Sequence, residues 1–129
     1  MSNSLLLLDN SLPNLEIFKM SSIGSYRVLN TLVDNASVDE YLASNPITNI
    51  IDLVIISSDN NFSNVFATLD VLQYFLVQVV DINKGLRVIF SLGIGDNNMI
   101  TNKKLNEISE AIFTKGGGTI IQYGNEKLL

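Results

Sequence analysis

Three runs of apolar, β-favouring residues constrain this chain more than any other feature, because each is too continuous for a half-exposed strand. Leu5, Leu6, Leu7 and Leu8 make the first, and Leu53, Val54, Ile55 and Ile56 the second. Val88, Ile89, Phe90, Ser91 and Leu92 make the third. A strand with one wet face alternates apolar and polar residues, whereas an unbroken run marks a strand buried on both faces, as in a parallel sheet covered by helices. Each run is followed by a carboxylate: Asp9, Asp59 and Asp96. Ligands of such sheets bind in the crevice beyond the carboxyl ends of the strands. The three acids, with Ser11 beside the first, are therefore expected on one rim, where a hard cation such as Mg²⁺ could be held by oxygen. Aspartate directly after a strand also serves plainly as a turn and cap residue, so both roles stand at these positions.

Between the runs the pattern becomes helical. A helix is expected over 38–43, with Ser37 as N-cap, Glu40 completing a capping box and Pro46 beyond its end. A long helix is expected over 63–83, with Val65, Leu69, Leu72, Leu76, Val79 and Val80 on one face, Ser63 as its cap and Gly85 as its terminator. Phe66 and Tyr74 lie off that stripe, which implies either a wide buried face or a partner surface. A further helix over 102–114 turns Leu105, Ile108 and Ile112 inward, with Thr101 as N-cap. The run Lys115, Gly116, Gly117, Gly118 ends it and reads as a flexible joint before a last strand over 119–123. The segments 15–20 and 26–33 are ambiguous between helix and strand. The pair Gly93 and Gly95 lacks the third glycine of a dinucleotide turn and is explained by turn geometry alone.

These elements predict a single α/β domain over residues 1–129, three-layered, with a mainly parallel sheet of about five strands, Rossmann-like in the broad sense. Composition narrows the chemistry. There is no Cys and no His, which removes disulfides, thiolate zinc, cysteine nucleophiles and imidazole acid–base catalysis. A net charge of −5 with only 8 Lys plus Arg gives no basic footprint for duplex nucleic acid. No segment is long and apolar enough for a confident membrane span, and the leucine-rich N-terminus lacks the basic flank and cleavage pattern of a leader. A cytoplasmic location is the favoured expectation.

The segment from Ile50 onward resembles the second half of a von Willebrand factor A-type domain. The matching pieces are the strand and acidic turn Asp52 to Asp59, the strand and glycine-rich turn Gly85 to Asp96, the helix around Leu105 to Ser109, and Gly117 to Ile121. The resemblance implies a von Willebrand A-like topology and a metal site built on an Asp-x-Ser-x-Ser turn. Asp9 and Ser11 match its first two positions, Pro13 replaces the second serine, and Asn60 stands where the family has glycine after the acid. A second resemblance, of Ser57 to Ser63, is to the NYN branch of PIN-like nucleases. It implies Mg²⁺-dependent phosphodiester hydrolysis with Asp9, Asp39 and Asp59.

With an apolar fraction of 47% and no imidazole or thiol, the leading expectation is a non-enzymatic protein-binding or assembly module with no cofactor or with Mg²⁺ alone. It would act on a protein partner or by self-association. The alternative is the Mg²⁺-dependent phosphodiesterase.

Overall fold

The computed structural model describes residues 4–9, 25–56, 62, 65–92 and 99–123. Five strands and three helices alternate along them: β1 (Ser4–Asp9), β2 (Ser25–Leu29), α1 (Asn35–Ser44), β3 (Asp52–Ile56), α2 (Leu69–Ile82), β4 (Arg87–Leu92), α3 (Met99–Thr114) and β5 (Gly118–Tyr123). The strands form one sheet in the order β2-β1-β3-β4-β5, and every pairing is parallel. This is a Rossmann-like α/β fold.

Register divides the sheet into two faces. Leu5, Leu53 and Val88 lie side by side across β1, β3 and β4, and Leu7, Ile55 and Phe90 form the next row on the same face. All six are buried and join one core with Val38 of α1, Leu72, Phe75, Leu76, Val79 and Val80 of α2, and Leu105, Ile108 and Ile112 of α3. The three described helices therefore share one face. On the other face, Tyr26, Leu6, Val54, Ile89 and Ile120 form a single row through all five strands. Leu6 and Val54, at its centre, are buried, while Tyr26 and Ile120, at its ends, are 40% and 41% exposed. At about 25 cal/mol per Å² of apolar area, stacking these rows is the main stabilising term of the fold.

Local chemistry fixes the helix ends, and here the structure corrects the sequence. Helix α1 starts at Asn35 with Asp34, not Ser37, as N-cap. Asp34 Oδ1 accepts from the Ser37 amide at 2.8 Å, and Ser37 Oγ accepts from the Asp34 amide at 3.0 Å. The capping box is real but sits three residues earlier, since aspartate caps as well as serine. Helix α2 starts at Leu69 rather than 63, capped by Thr68 Oγ1 on the Val71 amide. Its expected first turn is diverted into a parallel bridge, in which the Leu32 amide donates to Val65 O and the Ala67 amide to Leu32 O, both at 2.9 Å. Helix α3 begins at Met99, so Thr101 lies inside the helix and not at its cap. Residues 26–29 of the ambiguous stretch 26–33 belong to strand β2; segment 15–20, Ser63, Gly93 and Gly95 lie outside the described residues.

Asn83 closes α2 and is the C-cap that Gly85 was expected to provide. Its buried side chain donates to Ile47 O at 2.8 Å and to Val79 O at 2.9 Å, and accepts from the Ile50 amide at 3.2 Å. One amide thus fastens the end of α2 to the segment that enters β3. At the other edge, Arg27 of β2 donates to Asn45 O at 3.0 Å and Pro46 O at 2.8 Å, tying that strand to the end of α1.

The triple glycine is not a flexible joint. The Gly116 amide donates to Phe113 O and the Gly117 amide to Ile112 O, both at 3.0 Å, with Gly116 at φ 93°. This is the doubled bond of a Schellman cap, whose left-handed residue favours glycine. A Cβ on Gly117 would stand 2.9 Å from Leu86 O and 2.9 Å from Ile112 Cγ2. Gly117 is there because the backbone passes too close to β4 for any side chain.

Two predictions follow from these locks. Asn83→Ala takes these bonds from the Ile47 carbonyl and the Ile50 amide, while Val79 O keeps its backbone bond, and is expected to cost about 2–3 kcal/mol in urea unfolding. Gly117→Ala is expected to cost about 1–3 kcal/mol by the same measurement, because a backbone oxygen cannot move aside as a side chain can.

Candidate functional site

The strands ending near the three acids run side by side in one direction. Leu8 of β1 pairs with Ile56 of β3, and Ile56 pairs with Ser91 of β4, so all three open on a common rim. Asp9 is the last residue of β1, level with Leu29 of β2. In this strand order the chain leaves β1 toward one side of the sheet and β3 toward the other, which makes the β1/β3 junction the topological switch point. Asp9 stands at that junction. Ser11, Asp59 and Asp96 lie outside the described residues. Among the described residues, no group of three or more His, Cys, Asp or Glu is placed to hold a metal ion.

Past Asp9, the segment that follows β3 is apolar and tightly held where it is described. Phe62 follows β3 with φ 57°, a conformation that bulky residues rarely adopt. It is fully buried, with its ring 5.9 Å from that of Phe90. Its carbonyl accepts from the amides of Val65 at 3.0 Å and Phe66 at 2.8 Å. Phe66 in turn is buried against Phe75, ring to ring at 5.1 Å. The off-stripe aromatic Phe66 is therefore core, and it lies in the bridge that precedes α2 rather than on the helix. Backbone strain of this kind persists only where surrounding contacts over-determine it, and here the aromatic packing and the Leu32–Phe66 bridge supply those contacts.

Two further grooves are formed among the described residues. The first, of about 450 Å³, runs over the helix layer and is lined by Asn35, Asp70, Gln73, Tyr74, Val77 and Lys104. Lys104 Nζ is 2.6 Å from Asp70 Oδ1 and 3.5 Å from Glu107 Oε2. The hydrogen bond to Asp70 raises the lysine's pKa against the opposing effect of partial burial. Beside it, Tyr74 Oη donates to Asp39 Oδ1 at 2.8 Å. The acid assigned to a nuclease site by resemblance is thus engaged within the helix layer. Both pairs join residues more than thirty positions apart, and nothing in the local sequence pattern signals them.

The second groove, of about 590 Å³, follows the outer edge of β5 and is lined by Ser109, Glu110, Phe113, Thr114, Gly118 and Thr119. Its floor is a hydroxyl relay: Thr119 Oγ1 donates to Ser109 Oγ at 2.9 Å, and Ser109 Oγ donates to Leu105 O at 2.9 Å. Phe113, at 77%, is far more exposed than its neighbours on the inner stripe of α3.

No family model matches the chain, and no curated protein and no solved structure matches it either. Among the described residues, no helix is long and apolar enough to cross a membrane.

The Tyr74–Asp39 bond makes a titration prediction. The carboxylate accepts the phenolic proton and repels the tyrosinate, so the Tyr74 pKa is raised, first by the hydrogen bond and then by burial and charge. The bond's contribution is present at neutral pH and is lost as pH climbs through the raised value. Alkaline titration followed by tyrosinate absorbance is expected to show one late-ionising phenol, absent in Tyr74→Phe and moved earlier in Asp39→Asn.

Proposed function

We propose that this chain is a non-enzymatic protein-binding or assembly module, an α/β scaffold of von Willebrand A-like character from Ile50 onward. The observation that carries this reading is the exposure of large apolar side chains at the margins of the sheet. Tyr26 and Val28 on β2 and Ile120 on β5 are each 40–41% exposed, and Phe113 beside β5 reaches 77%. Large apolar side chains left exposed at the margins of a sheet are characteristic of interaction surfaces. The apolar packing of Phe62, Phe66 and Phe90 at the described rim supports the same reading, since it serves rigidity rather than chemistry.

The second reading, a Mg²⁺-dependent phosphodiesterase, draws its support from Asp9 at the switch point. A metal held by Asp9 and Asp59, with Asp39 as the third acid, would activate water against a phosphodiester. The engagement of Asp39 with Tyr74 weighs against the acid set of that mechanism.

Calorimetry with Mg²⁺ and Mn²⁺, paired with an assay for hydrolysis of a simple aryl phosphodiester, separates the two. No metal heat and no turnover are expected. Turnover that disappears in Asp9→Asn and Asp59→Asn would overturn the binding-module reading.

A further inference from the structure

We infer that the β5 edge is a self-association surface, on which a second copy of this chain docks antiparallel about a two-fold axis. This rests on the binding-module reading and names the partner. Strand β5 is the last of the sheet, and among the described residues no strand lies outside it. An edge strand offers a row of outward amides and carbonyls as a template for another strand, and proteins usually blunt it with charge, proline or a covering element. Strand β2, the opposite edge, carries Arg27 at its middle, held down on Asn45 and Pro46. The β5 sequence Gly118–Tyr123 has no charged residue and no proline.

Apolar side chains stand on both sides of this edge. Ile120 projects on the face opposite the described helices, in the row that runs through Ile89 and Val54. On the helix face, Phe113 overhangs the groove beside Gly118 and Thr119. Adding an antiparallel strand would cover both at once. A −5 molecule repels its own kind over most of its surface, and the uncharged strand is a place where two copies can meet without that repulsion.

Charge on α3 selects a second copy over a foreign strand. Lys103 and Glu110 are both exposed and seven residues apart, two turns along the same side of the helix. A two-fold axis that sets β5 against its copy also sets α3 antiparallel to its copy. Lys103 of each molecule then comes opposite Glu110 of the other, giving two equivalent ion pairs. Self-complementarity of this sort is what an isologous interface requires.

The test is sedimentation velocity with multi-angle light scattering on the full chain over a concentration series. The wild type is expected to pass from monomer to dimer as concentration rises. Ile120→Lys and Phe113→Asp are expected to remain monomeric with unchanged circular dichroism and thermal midpoint, since both positions are exposed. Glu110→Lys is expected to weaken the dimer by roughly tenfold, and Lys103→Glu combined with Glu110→Lys to restore it. A chain that stays monomeric throughout overturns the proposal, whether the edge then takes a strand of another protein or nothing. A dimer that ignores these substitutions, or that the charge swap fails to restore, overturns it as well. Phosphodiester turnover would instead remove the reading beneath it, so the two failures are told apart.

Discussion

The parallel pairing of β1 with β3 is the interaction on which the rest of the molecule is built. These two strands are separated in sequence by β2 and α1, yet they lie side by side with Leu6 against Val54 and Leu7 against Ile55. Two parallel neighbours cannot be joined by a hairpin, so every connection must climb back across the sheet and bring apolar cover with it. The pairing thereby dictates where the helices go, why the strands need apolar residues on both faces, and why all strand ends gather on one rim.

Rigidity is concentrated where the crossovers turn. Asn83 closes α2 and holds the approach to β3; Phe62 fixes the exit from β3 at the expense of an unfavourable backbone angle; Gly117 lets the chain leave α3 in contact with β4. These residues act on connections rather than on elements. They hold the ends of the crossovers against the sheet.

Much of the architecture was legible in the sequence because the relevant signals are periodic. The unbroken runs at 5–8, 53–56 and 88–92 mark β1, β3 and β4, and the stripe Leu105, Ile108, Ile112 is the buried face of α3. The boundaries were less legible because they answer to tertiary contacts. Leu32 draws residues 65–67 into a bridge, so α2 starts late although its apolar spacing begins earlier. Gly117 could not be told from a loose glycine without knowing that Leu86 O passes beside it. Of the candidate metal residues, Asp9 is found at the switch point, as a buried run ending in an acid implies. The pairs Tyr74–Asp39 and Lys104–Asp70 had no signature, because side chains meeting across two helices obey no fixed spacing.

The two margins of the sheet are chemically unlike, and this limits how large any assembly can become. Arg27 lies across the β2 side and is spent on the carbonyls at the end of α1. Under the two-fold pairing inferred for β5, each copy uses up that margin of the other, so growth through it stops at a closed pair instead of running on into a fibre.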